Sequence, residues 1–175
     1  MANVLKWSGR LDALVNNAGV SGPRGRLDEL DLESIQRVLA TNVTGAILCA
    51  REAVKRMSTR HGGKGGAIVN ISSGSAYIGG PGSGIIYAVS KGALNSMQIG
   101  LSQEVAGEGI RVNAVLPGLT ETDMPTRESL DRGGDVIPMG RVGLPEEIAE
   151  AVVWLLSDQA SYVAGGMLRV AGGRP

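Results

Sequence analysis

Phenylalanine is absent from this chain of 175 residues, and tryptophan and tyrosine together number only five. Cysteine and histidine occur once each, as Cys49 and His61. An internal disulfide is therefore impossible, and no Cys/His cluster exists to hold zinc, so no metal site is expected. An excess of one charge is also missing: Lys plus Arg and Asp plus Glu stand at 17 each. Without a basic field, condensation on nucleic acid or anionic lipid is not expected. The longest apolar run, Ala151 to Leu156, has six residues, where a membrane span needs about 20. The first 15 residues carry Lys6, Arg10 and Asp12 with no apolar core of signal-peptide length, so a reducing, cytoplasmic setting is expected. Proline totals seven and the glycines keep no fixed period, which excludes collagen and argues against a low-complexity linker.

What is abundant is glycine, 27 residues, about twice the usual share of roughly 7%. With so few rings, this points to tight turns and close backbone approaches. A hydrophobic share of 43% and a mean hydropathy of +0.08 are those of a soluble globular domain. A chain of this length buries roughly 70% of its unfolded surface. The expectation is one compact domain over residues 1–175.

Asp12 to Asn17 reads as a short strand centred on Ala13 to Val15, followed by a Gly, Pro and Arg loop from Ser21 to Arg26. From Leu32 to about Thr59, apolar residues recur at Ile35, Val38, Leu39, Val43, Ala46, Ile47, Ala50, Val54 and Met57, the spacing of a long amphipathic helix. The glycines from Gly62 to Gly66 make a turn, since a nucleotide-binding glycine loop follows a strand and this run precedes one. Ala67 to Ser72 is a second strand. After the Gly79 to Gly84 loop, Tyr87 to Gly107 has helical spacing, and Arg111 to Leu116 is a third strand closed by Pro117 and Gly118. Thr120 to Val142 has no periodicity and reads as a loop or lid. Pro145 opens a helix to about Ser157, and Met167 to Val170 is a last strand. The alternation predicts an α/β fold, a parallel sheet with helices on its faces.

Ligands of such sheets bind beyond the carboxyl ends of the strands. Here those ends carry Asn16-Asn-Ala-Gly, then Ser72 and Ser73, then Pro117 and Gly118 with Thr120 and Thr122 beyond. Asn42 interrupts the apolar stripe of the long helix. A buried amide without partners costs about 1–3 kcal/mol, so Asn42 needs hydrogen bonds, from nearby backbone on this reading alone. Tyr87 and Lys91 are four apart and share a helix face. A lysine cation close to a phenol favours the phenolate, and bringing Tyr from about 10 toward neutrality needs roughly 4 kcal/mol. Such a tyrosine acts as acid or base on an alcohol or carbonyl; read alone, the pair is also compatible with an exposed helical surface. His61 reads as solvated and Cys49 as a small core or interface residue. A Ser-His-Asp hydrolase built on Ser73 finds no histidine partner.

Five segments in order, Asn16-Asn-Ala-Gly, Thr41-Asn-Val-Thr-Gly, Ile71-Ser-Ser, Tyr87-Ala-Val-Ser-Lys91 and Arg111-Val-Asn-Ala-Val-Leu-Pro-Gly118, closely resemble the short-chain dehydrogenase/reductase family, classical type. The resemblance runs from Gly9 to the Ala171-Gly-Gly ending. It implies a Rossmann-like, doubly wound parallel sheet and hydride transfer between NAD or NADP and a secondary alcohol or carbonyl compound. By position, Tyr87 would be the acid/base and Ser73 would bond the substrate oxygen. Lys91 would lower the tyrosine pKa and bond the nicotinamide ribose, and Asn42 would hold a water that relays protons to Lys91. Asn16, Ala18 and Gly19 match the segment lining the cofactor; Pro117, Gly118 and Thr122 match the segment around the nicotinamide. Gly19 and Gly118 would let backbone approach the cofactor. Homodimers or homotetramers would form through the long helix and the Tyr87 helix.

The family's opening strand, glycine-rich turn and helix find no match. The strands correspond to its fourth to seventh, so the chain reads as an N-terminally truncated domain carrying the catalytic half. Loss of the helix N-terminal amides that bind pyrophosphate and an exposed apolar edge at Leu14 and Val15 predict weak dinucleotide affinity and self-association. The alternative is a catalytically impaired remnant serving as an oligomerisation or interaction module.

Overall fold

The computed structural model describes residues 9–82 and 84–174. The reading of the chain start as lacking a signal-peptide core falls partly on residues 1–8, and the Gly79 to Gly84 loop includes position 83; both positions lie outside the described residues. Among the described residues, no helix is long and apolar enough to cross a membrane.

Four strands form one parallel sheet in sequential order: β1 (Ala13–Asn16), β2 (Gly66–Ile71), β3 (Ile110–Pro117) and β4 (Met167–Val170). Asn16 stands beside Asn70, Asn70 beside Ala114, and Ala114 beside Met167. In β2, Ala67, Ile68, Val69 and Asn70 are all buried, as expected for a strand covered on both faces. At the edge, β1 pairs only with β2 among the described residues and leaves Val15 40% exposed.

The predicted long helix is present but interrupted. It comprises α1 (Leu32–Leu39), a π-helical turn over Ala40–Gly45, and α2 (Ala46–Met57). The Asp31 side chain starts it by accepting the Ser34 amide at 2.7 Å, an N-cap bond that holds the Asp31 carboxyl below its ordinary pKa. After β2 come a short α3 (Ser75–Ile78) and the predicted α4 (Ile85–Val105). The segment expected to be irregular contains two short helices, α5 (Arg127–Asp131) and α6 (Gly133–Val136), before α7 (Pro145–Leu156). Helices of one turn are too short to display a period, which is why α3, α5 and α6 escape sequence reading.

On one sheet face, Ile68, Ile110 and Val112 pack with Ala53 and Met57 of α2 and Val105 of α4. On the other, Val69 and Val115 pack with Val152 and Leu155 of α7. The sheet is therefore doubly wound. The strands step across it in one direction while the third crossover helix changes face, so the β3–α7–β4 connection has the opposite hand to the first two. Right-handed crossovers are the strong rule, and two polar residues of β3 hold this exception. Arg111 donates to the Leu155, Leu156 and Ser157 carbonyls that end α7, at 2.7, 3.3 and 3.1 Å. Asn113 donates to Val163 O at 2.7 Å and accepts the Gly166 amide at 2.9 Å.

Candidate active site

All strands being parallel, their carboxyl ends meet at one rim, and a cleft of about 540 Å³ opens there. Gly19, Ser73, Tyr87, Lys91, Pro117, Gly118 and Thr122 all line it. Of the other residues singled out from sequence, Ser72 and Thr120 line it as well, whereas Asn16 and Ala18 do not. Asn16 is buried beneath the rim, its amide donating to Asn70 Oδ1 at 2.9 Å and Ala46 O at 3.3 Å. Ala18 is exposed outside the cleft lining. Ser72 is buried and donates to the Lys91 carbonyl at 3.1 Å, which ties β2 to α4.

Asn42 stands behind the lining, fully buried at the π-turn. Its Oδ1 accepts the Val20 amide at 2.8 Å. Its Nδ2 donates to Val20 O and to Ser90 Oγ, both at 2.9 Å, and Ser90 in turn donates to the Tyr87 carbonyl at 2.7 Å. Both amide protons are thus used within the protein. The side chain tethers the loop after β1 to α4. The partners that its burial demanded include the backbone of Val20, as expected, and a serine that sequence reading did not single out.

Tyr87 lies in the first turn of α4 and Lys91 one turn later on the same face, so both reach the cleft. Ser73 joins them from the end of β2. Its Oγ accepts the Ser75 amide at 3.1 Å and is hydrogen-bonded to the Tyr87 side chain. With one lone pair fixed by that amide, the Ser73 hydroxyl is directed toward the tyrosine oxygen and whatever sits beside it. Lys91 Nζ donates to Ile71 O at 2.7 Å and lies 5.6 Å from the centre of the Tyr87 ring.

The electrostatics differ from the expected lysine-depressed phenol. Burial pushes the Tyr87 pKa up, with the Ser73 hydrogen bond pulling more weakly the other way. Burial also pushes Lys91 down to about 8. Desolvation penalises each charged form and is the leading cause of both shifts. At neutral pH the pair is a protonated phenol beside a mostly protonated amine, a donor arrangement suited to giving a proton away.

Glycine serves two purposes at the rim. A Cβ on Gly19 would stand 3.4 Å from Asn42 Oδ1 and 3.5 Å from Lys91 Nζ, so the bare backbone leaves those polar atoms uncovered. A Cβ on Gly118 would fall 2.8 Å from the Ala171 Cα. Packing of β3 against the chain after β4 therefore requires a glycine there, and the same residue lines the cleft.

Sequence reading missed Asn17, which lines the cleft and lay inside a quoted motif, and Arg24 and Arg174, which carried no pattern. His61 is exposed ahead of β2, whereas Ser73 follows it. Six strand residues separate the two by about 20 Å, so no hydrolase pairing forms. Cys49 is exposed on α2 and is not a core residue.

The family model described as enoyl-(acyl carrier protein) reductase matches residues 1–174. The chain is 53% identical over 170 residues to an uncharacterized oxidoreductase, YgfF, of Escherichia coli (strain K12), covering 94% of this chain and 68% of that protein. It is 41% identical over 173 residues to glucose 1-dehydrogenase 2 of Bacillus subtilis (strain 168), covering 97% and 66%. Among solved structures, that of ElxO with NADP bound superposes with a TM-score of 0.87 at 33% identity, covering 98% of this chain and 70% of the other. The chain spans about two thirds of the length of these relatives.

Proposed function

The chain belongs to the short-chain dehydrogenase/reductase family, and from that premise we propose that it is an oxidoreductase moving a hydride between NAD or NADP and a secondary alcohol or carbonyl compound. The observation that carries this reading is the Ser73, Tyr87 and Lys91 set on one wall of the cleft. The residues present fit the nicotinamide end of a dinucleotide. Lys91 and Tyr87 would hold its ribose, Asn17 and Gly19 would line it, and Pro117, Gly118 and Thr122 would flank the ring. When bound, the dinucleotide supplies or accepts the hydride.

In the reducing direction Ser73 donates a hydrogen bond to the substrate carbonyl oxygen and so orients it. Tyr87, kept neutral by burial, gives its phenolic proton to that oxygen as the carbon takes up the hydride, leaving a phenolate. Lys91, cationic below pH about 8, stabilises that phenolate. In the oxidising direction the same groups run backwards, Tyr87 accepting the alcohol proton. Asn42 and Ser90 are positioning residues, fixing the loop at Val20 against α4.

General acid–base groups contribute about 10²–10⁴-fold, so Tyr87→Phe should lower kcat by at least 100-fold with an unchanged circular dichroism spectrum. Turnover within a few-fold of the original would overturn the assignment. A homodimer or homotetramer belongs to the same reading, supported by exposed Ile47 and Leu48 on α2 and Val89 and Ile99 on α4. Sedimentation giving the mass of a single chain would contradict it.

A further inference from the structure

A second cavity of about 210 Å³ adjoins the cleft, and Leu119, Ile148 and Ala171 line both. Its own walls are mainly Ile137, Met139, Val170 and the chain at Gly172. The charged atoms that face it are already matched. Arg141 donates twice to the Glu147 carboxylate, at 2.8 and 2.6 Å, and that carboxylate also accepts the Leu144 amide at 2.8 Å. These bonds hold the Glu147 pKa near 2, the Arg141 contact being the largest cause. The backbone around the cavity is paired as well: Met139 donates to Gly172 O at 3.0 Å and Gly143 to Leu119 O at 3.1 Å. A space whose walls are mainly apolar and whose charged pair is already matched favours an apolar occupant. Its size exceeds the roughly 150 Å³ of an apolar cavity that admits benzene.

We propose that this cavity receives an unbranched apolar arm of the compound whose carbonyl or alcohol carbon sits at Tyr87, the arm passing over the shared wall of Leu119, Ile148 and Ala171. The substrate class is then a ketone or secondary alcohol with an alkyl chain of several carbons on one side of the reacting carbon. This rests on the reading of Tyr87 and Ser73 as the reacting pair. Each methylene transferred from water into such a space is worth about fourfold in kcat/KM. From 2-butanone to 2-octanone the expected gain is about 200-fold. Met139, 69% exposed, borders this cavity and not the cleft.

The test measures kcat/KM for the 2-alkanone series with a reduced dinucleotide, in the original chain, Met139→Trp and Ile137→Ala. Alongside it, the NMR shift of the Met139 methyl is followed on adding 2-octanone without dinucleotide. Expected are a rise with chain length, a preference shortened by Met139→Trp and extended by Ile137→Ala, and a saturable Met139 shift. Tyr87-dependent turnover of 2-butanone and 2-octanone at equal kcat/KM, with no Met139 shift, would overturn the cavity proposal and leave the Tyr87 reading standing. A Met139 shift with no turnover of any alkanone would support the cavity and count against the Tyr87 reading.

Discussion

Lys91 is 3% exposed, and its ammonium rests on one carbonyl, that of Ile71. Burial lowers its pKa from 10.5 to about 8. Below pH 8 the side chain is charged in both the folded and unfolded chain, and the fold bears the whole cost of burying it. Between 8 and 10.5 the folded form sheds its proton first, so stability rises with pH, and above 10.5 the cost is gone. That cost is on the order of 3 kcal/mol, while a methionine there would leave the Ile71 carbonyl without its donor, at about 1 kcal/mol. Lys91→Met should therefore be more stable than the original at pH 7 by about 2 kcal/mol, with the gap narrowing by pH 9.5. Urea unfolding at both pH values measures it; a gap that stays constant would contradict a buried charge. Keeping such a residue at a net cost is what a functional lysine looks like. Tyr87 and Lys91 were visible from their spacing, because residues four apart on a helix share a face. Their protonation was not, because it depends on burial, which no spacing reports.

At the scale of elements, apolar runs and helical spacing located the four strands and the three long helical segments among the described residues, although the buried face of α4 also carries Ser90, Lys91, Gln98 and Ser102. They did not resolve the π-turn at Ala40–Gly45, where the apolar stripe runs on and only Asn42 marks the irregularity. Nor did they separate the jobs of Arg111 and Asn113, recognisable as a motif but explained only by what lies across the sheet. Arg111 binds the carbonyl end of α7, where cationic donors are favoured. With charged hydrogen bonds worth about 1.5–3 kcal/mol, Arg111→Met should destabilise the chain by about 2–3 kcal/mol in denaturant unfolding while leaving the cleft residues in place. A loss below about 0.5 kcal/mol would show that the third crossover stands without it. The segment from Thr120 onward leaves and returns at one neck, where Thr120 pairs with Gly143 and the Glu121 amide bonds Gly143 O at 2.9 Å. Its residues Thr122, Met124, Pro125 and Ser129 line the cleft, and its two helices are too short to show a period in the sequence.

Taken whole, the molecule brings residues from β1, β2, α4 and β3 to one rim because parallel strands present the same end to the same side. Four strands and three crossover helices suffice to assemble Ser73, Tyr87 and Lys91, whose positions are fixed by contacts within the described chain: the Ser75 amide, the Ile71 carbonyl and the Asn42–Ser90 tether. The most direct test follows the hydride itself. The chain is incubated with 2-octanone and NADH or NADPH deuterated at C4 of the nicotinamide, one face at a time, and the product is read by NMR. Deuterium at the carbinol carbon of 2-octanol from one face only, at least 100-fold slower in Tyr87→Phe, is the predicted result. An alcohol free of deuterium from either face, or formed equally fast by Tyr87→Phe, would contradict hydride transfer with Tyr87 as the proton donor.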